Sequence, residues 1–172
     1  RSTMFDVFIS YSVVDTKMAE AIKNTLEEKG VRCWKAPENI APGQLFEEAI
    51  AAAIPRCKIM LLIWSVNSQA SDQVKRELAM ACKKRLIIIP FRIDNVVPEG
   101  TFEYYLTSVH WLDAIDQRQI GRSLDILLDR VVVNPPRYNQ QIKNKSESLF
   151  SMAVSRHSSG EFLSSANLAA GN

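Results

Sequence analysis

Few residues in this chain carry side chains suited to chemistry, and they lie apart in sequence. Ser10, Tyr11 and Ser12 place three hydroxyls in a row behind the apolar run FDVFI. Trp34 and Lys35 open the loop KAPENIAPG behind a second short apolar stretch. Glu77 lies in SDQVKRELAMACKK, where a helical wheel sets it beside Val74 and Ala81, at the border of the inward stripe. A carboxylate half-sheltered in this way can support positive charge developing beside it. The bland alternative is a solvated glutamate on an amphipathic helix. Cys33, Cys57 and Cys82 form no CxxC pair, and His110 and His157 sit far from them. That pattern reads as free thiols in a reducing compartment, with no metal centre and no disulfide framework.

Other chemistries fail on spacing. A phosphoacceptor domain of this organisation wants an aspartate behind its third strand, where this chain has Trp64-Ser65. Flavin and dinucleotide sites wrap phosphate with a glycine-rich first turn. The first turn here, SYSVVD, contains no glycine, and there is no GxSxG nucleophile elbow.

The elements that must position these residues alternate between short apolar runs and longer amphipathic ones. Phe5–Tyr11 reads as a strand, and Asp15–Lys29 as a helix striped by Met18, Ala19, Ile22 and Leu26, with Asp15 as N-cap and Gly30 as stop. Val31–Trp34 is a second strand. The alanine-rich helix Gln44–Ile54 ends at Pro55. Lys58–Trp64 is apolar without alternation, as in a strand buried on both faces. Ser71 caps a third helix striped by Val74, Leu78, Ala81 and Cys82, and Leu86–Ile93 gives a fourth strand with Pro90 near the end of its ladder. A loop over Asp94–Thr107 precedes a short strand near Val109–Trp111, and Ile120, Leu124, Leu127, Leu128 and Val131 mark a last helix. This alternation predicts an α/β fold: a flavodoxin-like, doubly wound, five-stranded parallel sheet of order 2-1-3-4-5. Ligands of such sheets bind where the winding reverses. That crevice is expected to be lined by Ser10, Tyr11 and Ser12 on one side and Trp64 and Ser65 on the other.

The 172 residues suffice for one domain with a core, read as 1–133. Residues 134–172 begin near Pro135-Pro136, are rich in Ser, Asn, Gln, Ala and Lys, and read as a linker or mobile tail. Leu149–Val154 is long enough for one helical turn. Up to Val133 there are 17 Lys/Arg and 17 Asp/Glu, so the domain is neutral and lacks the basic face of a nucleic-acid binder. No apolar stretch approaches the ~20 residues of a membrane span. With no signal peptide ahead of Phe5, the expected location is cytoplasmic.

Taken in order, FDVFISYSVVD, VRCWKAPENIAPG, a buried strand, SDQVKRE, LIIIPFRID and a late WLDA resemble Toll/interleukin-1 receptor (TIR) domains over about Met4 to Val133. The CW-x-AP-x-x-I-x-PG form resembles the bacterial branch, which often serves antiphage defence fused to a sensor domain. In catalytic members a glutamate on the third helix cleaves NAD at the nicotinamide–ribose bond, and Glu77 is the match. The resemblance thus implies a NAD glycohydrolase or ADP-ribosyl cyclase activated by self-association, with NAD as substrate and no metal or other cofactor. It implies that Trp34 stacks on nicotinamide, with a core tryptophan as the alternative. It also implies that Ser10, Tyr11 and Ser12 line the pocket and that Lys35 meets a phosphate, unless it is a solvated loop lysine. One departure stands out: many active members carry a tryptophan four residues before the glutamate, and this chain has Gln73. Trp64 or Trp111 is then the candidate for a compensating surface. Two other functions compete: a non-catalytic adaptor that associates through Trp34–Gly43, and a nucleoside-cleaving relative.

Overall fold

A computed structural model of the chain describes residues 4–133, and its sheet is built around the most apolar run. Ile59–Trp64 forms β3, and all six of its residues are buried. Val7–Ser10 (β1) and Ile87–Arg92 (β4) flank it, while Cys33–Trp34 (β2) and Leu112–Asp113 (β5) form the edges. The order is β2-β1-β3-β4-β5, and every neighbouring pair is parallel. This is the flavodoxin-like order expected from the alternation of runs. Pro90 stands just before the point, Phe91, at which β5 begins to pair with β4. Its missing N–H is tolerated where the strand has a neighbour on one side only.

Because side chains alternate along a strand, β3 feeds two cores at once. Met60, Leu62 and Trp64 join Phe8, Trp34, Ile50, Ile54, Val74 and Leu78 in one layer. Ile59, Leu61 and Ile63 join Val7, Ile9, Ala19, Ile22, Leu26 and Leu127 in the other. The helices follow from this division. Thr16–Glu28 (α1) and Gln117–Leu128 (α6) cover the second layer, and Phe46–Ala53 (α2) and Asp72–Lys83 (α4) cover the first.

Local chemistry sets most helix ends. Gly30 takes φ +82° behind α1, its N–H donates to the Glu27 carbonyl, and the Val31 N–H donates to the Leu26 carbonyl. That is the paired closure of a Schellman motif, with Val31 and Leu26 buried in the same layer. Pro55 ends α2 by turning it into a short 3₁₀ segment, Ile54–Arg56. Ser71 caps α4 by accepting from the Val74 N–H at 3.2 Å.

Four expectations need correction. Asp15 stands at the head of α1, but its carboxylate does not cap the helix; it accepts instead from Ser65 Oγ and Asn67 Nδ2, across the sheet. A short helix, Val66–Gln69 (α3), intervenes before α4, held by a capping box between Ser65 and Ser68. The stretch read as a loop, Asp94–Thr107, contains the helix Thr101–Leu106 (α5), whose Phe102 and Leu106 plug the first layer. The last strand lies at Leu112–Asp113, beyond the expected Val109–Trp111. The tail, with its expected turn at Leu149–Val154, lies outside the described residues. No helix among those described is long and apolar enough to cross a membrane.

α4 carries Glu77, so the seating of that helix decides where the carboxylate lies. Replacing Ser71 with Ala removes the cap and should cost about 1 kcal/mol of stability, read as a lower urea midpoint with unchanged slope.

Candidate active site

Glu77 is not half-sheltered at a border but buried, with 7% of its surface exposed. Packing of α4 against β1 brings the helix face down onto the end of the strand. There the fully buried Ser10 donates its hydroxyl to Glu77 Oε2 at 3.2 Å. One turn before Glu77, at i−4, Gln73 lines the same cleft. Arg76, exposed, donates from Nη2 to Gln73 Oε1 at 3.2 Å.

The carboxylate faces a cleft between α2 and α4. Ile50, Ile54 and Met80 give it an apolar wall, and Glu47, Gln73 and Arg76 line it with polar groups. Burial pushes Glu77 up from 4.5 to about 7, against the Ser10 hydrogen bond, the neighbouring Gln73 amide and the charge of Arg76, all of which lower it. At neutral pH the group is therefore poised between its two forms, a condition typical of working carboxyls.

The other predicted site residues fall into separate arrangements. Tyr11 and Lys35 meet each other: the Lys35 Nζ lies 5.2 Å from the Tyr11 ring centre, and the Tyr11 hydroxyl donates to the Ala36 carbonyl. Lys35 is no solvated loop lysine, since its side chain is 1% exposed and pairs with Glu38 at 2.9 Å. Burial opposes its charge, but Glu38 and Tyr11 outweigh burial and raise its pKa. Lys23 reaches the same Glu38 carboxylate at 2.9 Å, so one acid anchors two cations beneath the loop. Ser12 caps the short turn Val13–Asp15, accepting from the Val14 N–H at 3.4 Å. Trp34 is buried and stacked on Phe8, with ring centres 4.9 Å apart and planes 10° from parallel. Of the predicted lining, it is Ser10 that bonds Glu77 directly, side chain to side chain.

The strand-end crevice expected between β1 and β3 is taken up by protein groups. Ser65 caps α3 and donates to Asp15, and Asn67 donates to the same carboxylate. Trp64 is fully buried, packed edge-on against Phe102 and Trp111, with its indole N–H bonded to the Val96 carbonyl. Trp111 lies under the Arg92 guanidinium at 4.4 Å. Trp64, being fully buried, offers no free face in place of the one absent at Gln73. Among the described residues no three His, Cys, Asp or Glu side chains converge where a metal ion could sit.

Sequence reasoning missed Arg76, Glu38 and Lys23, and noted Gln73 only as a departure. The signal was present in the helical spacing: Gln73 is four residues before Glu77 and three before Arg76.

The raised Glu77 pKa is also a statement about stability. Below pH 4.5 the carboxyl is neutral in both folded and unfolded chains. From there to about 7 the unfolded chain loses the proton and the folded one keeps it, so stability falls as pH rises and levels off above 7. The Glu77→Gln variant escapes this penalty. It should be more stable than the parent by up to about 3 kcal/mol at pH 8, with the gain vanishing near pH 4.5. Urea unfolding across that range checks it; a difference independent of pH would refute the buried titration.

Comparison with known proteins agrees with this architecture. A sequence model of the TIR domain matches residues 7–128. A probable 2′ cyclic ADP-D-ribose synthase, BdTIR of Brachypodium distachyon, is 35% identical over 92 residues, which are 52% of this chain and 41% of that protein. The match thus spans less than half the length of this curated relative. Among solved structures, the TIR domain of the Toll-related receptor TRR-2 of Hydra magnipapillata superposes with a TM-score of 0.62 at 20% identity, over 74% of this chain and 98% of that one. The CMP N-glycosidase BcmB of Clostridium botulinum superposes with a TM-score of 0.54 at 20% identity, over 72% and 99%. With its five-stranded parallel sheet and a family match over most of its length, the chain belongs to the TIR domain family.

Proposed function

We propose that this domain cleaves the N-glycosidic bond between nicotinamide and ribose in NAD, with Glu77 as the catalytic carboxylate. The observation that carries the reading is the buried Glu77, bonded by Ser10 and set in a cleft with an apolar wall of Ile50, Ile54 and Met80. As nicotinamide departs with the bonding electron pair, positive charge develops on the ribose carbon and ring oxygen. An ionised carboxylate beside that carbon stabilises the charge, and does so more strongly in a site shielded from water. Water attacking the same carbon gives ADP-ribose and releases a proton; a hydroxyl of the ADP-ribosyl group itself attacking instead gives a cyclic product and likewise releases a proton. The relative named as a cyclic ADP-D-ribose synthase favours including the second outcome.

Ser10, Tyr11, Ser12, Trp34 and Lys35 are proposed to shape the substrate's surroundings. Trp34 reaches nicotinamide only if it leaves Phe8, which makes movement of the loop after β2 part of the reading. That loop supports a role for self-association. Residues 41–48 are exposed, including Leu45 at 62% and Phe46 at 43%. If the competent loop conformation holds about 1% of the monomer, a second copy that binds it a hundredfold better brings it to about half. A defence or signalling role, with a sensor that clusters the domains, is the setting this device suits.

The central experiment is incubation with NAD followed by chromatography of the products. Glu77→Gln should lower turnover by about 10²-fold or more with the fold retained by circular dichroism. Parent activity should rise with pH through about 7, as the carboxyl ionises. Equal turnover by variant and parent would sink the assignment and leave the adaptor reading. Trp34→Ala separates two roles: loss of turnover with a modest stability change supports stacking, and loss of about 3–5 kcal/mol with normal specific activity supports a core residue alone. Specific activity should climb with protein concentration and lose that dependence when Pro42 and Gly43 are replaced by bulky charged residues. A flat profile would mean a self-sufficient monomer.

A further inference from the structure

We propose that Glu38 is a positioning residue, which latches the loop after β2 closed and so keeps Trp34 seated on Phe8. Its bearing on turnover rests on the proposed stacking of Trp34 on nicotinamide; its contacts stand without a substrate. Lys35 is the buried end of the latch. Its side chain is 1% exposed, and its Nζ donates to Glu38 Oε1 at 2.9 Å. Among the described residues Glu38 is the acid that pairs with it, and the Tyr11 ring centre lies 5.2 Å from the ammonium. The other oxygen of the same carboxylate, Oε2, meets Lys23 Nζ of α1 at 2.9 Å, and Lys23 also pairs with Glu27 at 3.2 Å. A line of alternating charge, Glu27, Lys23, Glu38 and Lys35, thus ties the loop to the helix.

The two ends of that line differ in what they can bear. The pair of Glu38 and Lys23 lies near the surface, with 44% and 15% of their side chains exposed, and such a pair adds little stability. A buried ammonium is another matter, because taking it out of water is costly unless an opposite charge meets it. Without Glu38, Lys35 would be left with the neutral Ala36 carbonyl at 3.5 Å and the Tyr11 ring. The loop escapes that cost by lifting. Residues 35–40 would lift as a unit, since the Lys35 N–H donates to Asn39 Oδ1, the Asn39 N–H to the Lys35 carbonyl and the Ile40 N–H to the Pro37 carbonyl. Trp34 is the last residue of β2 and stands opposite Phe8 in the ladder, so the lift begins beside it. One half-exposed acid therefore decides whether the indole stays on Phe8 or is freed.

The test is fluorine-19 NMR of the full chain carrying fluorotryptophan, without substrate, with the Trp34 signal assigned by its loss in Trp34→Phe. The shift between light and heavy water reports how far each indole meets solvent. In the parent it should be near zero for Trp34 and for Trp64, both buried. Glu38→Gln, which keeps the shape and removes the charge, should raise the Trp34 shift to about half that of the free amino acid, as the open state gains population. Trp64 should not move. Adding Lys35→Met to Glu38→Gln should return Trp34 to its parent value, because the buried charge that drives the opening is then gone. Lys23→Met alone should move it far less than Glu38→Gln. Should the glutamine variant fold poorly, Glu38→Asp, one methylene short, is expected to give a smaller shift of the same sign. A Trp34 signal unmoved by the variants at 38, moved without rescue by Lys35→Met, or moved together with Trp64 overturns the latch. Turnover is read separately. In a parent that cleaves NAD, Glu38→Gln should raise specific activity severalfold at low protein concentration; a freed Trp34 with no such gain overturns the latch as a control on turnover. A freed and rescued Trp34 in a chain that leaves NAD intact sinks the proposed activity and leaves the latch standing.

Discussion

Everything in this domain depends on β3 having no polar face. Six consecutive buried residues cannot sit at a surface, so helices must cover the sheet on both sides. Parallel strands need helical crossovers in any case, and the two demands are met by the same segments. α4 is one of those covering helices. Val74, Leu78 and Ala81 press it onto the sheet, and this apolar contact carries Glu77 down with them. A carboxylate left to itself would stay in water. Here the burial of its neighbours leaves it no choice, and the Ser10 hydroxyl supplies a hydrogen bond that makes the position more tolerable.

The same packing leaves a cleft on the helical wall and fills the strand ends. In many doubly wound proteins the point where the winding reverses stays open for a ligand. In this chain the Asp15 carboxylate holds Ser65 and Asn67 across that point, and Ser65 with Ser68 starts a helix there. The groups that would greet a phosphate are satisfied internally. The cleft between α2 and α4, by contrast, brings apolar surface beside the buried Glu77.

Much of the fold could be read from residues close together in the chain. The α1 stripe, the Gly30 stop, the Ser71 cap and the unbroken apolar run of β3 are local signals, and each appears in the structure where its residues implied. Two of the misreadings, at Asp15 and Lys35, come from distance in sequence. Asp15 looked like a helix cap because its true partners are 50 and 52 residues away. Lys35 looked solvated because Glu38, its partner in the same loop, gives no sign of burial; Tyr11, which the lysine meets just beyond β1, is far away in sequence. The helix over Thr101–Leu106 was hidden by its brevity; its amphipathic pattern spans less than two turns. Glu77 was legible as a candidate by its place on the wheel, but its depth was not, because depth is set by contact with β1.

The sheet also governs the cysteines. Cys33 and Cys57 are buried in opposite layers, on its two sides, and Cys82 is half-buried. Burial pushes each thiol up to about 12. At neutral pH only about one molecule in 10⁵ then carries a given thiolate, the form that alkylating reagents and peroxides attack. Cys33 and Cys57 cannot join without dismantling the sheet between them. Their unpaired state therefore says little about where the protein lives, since this fold would keep them apart in oxidising surroundings as well. It does mean that a cysteine introduced on the surface would far outreact all three, so that a single spectroscopic label could be placed on this domain without first removing the native thiols.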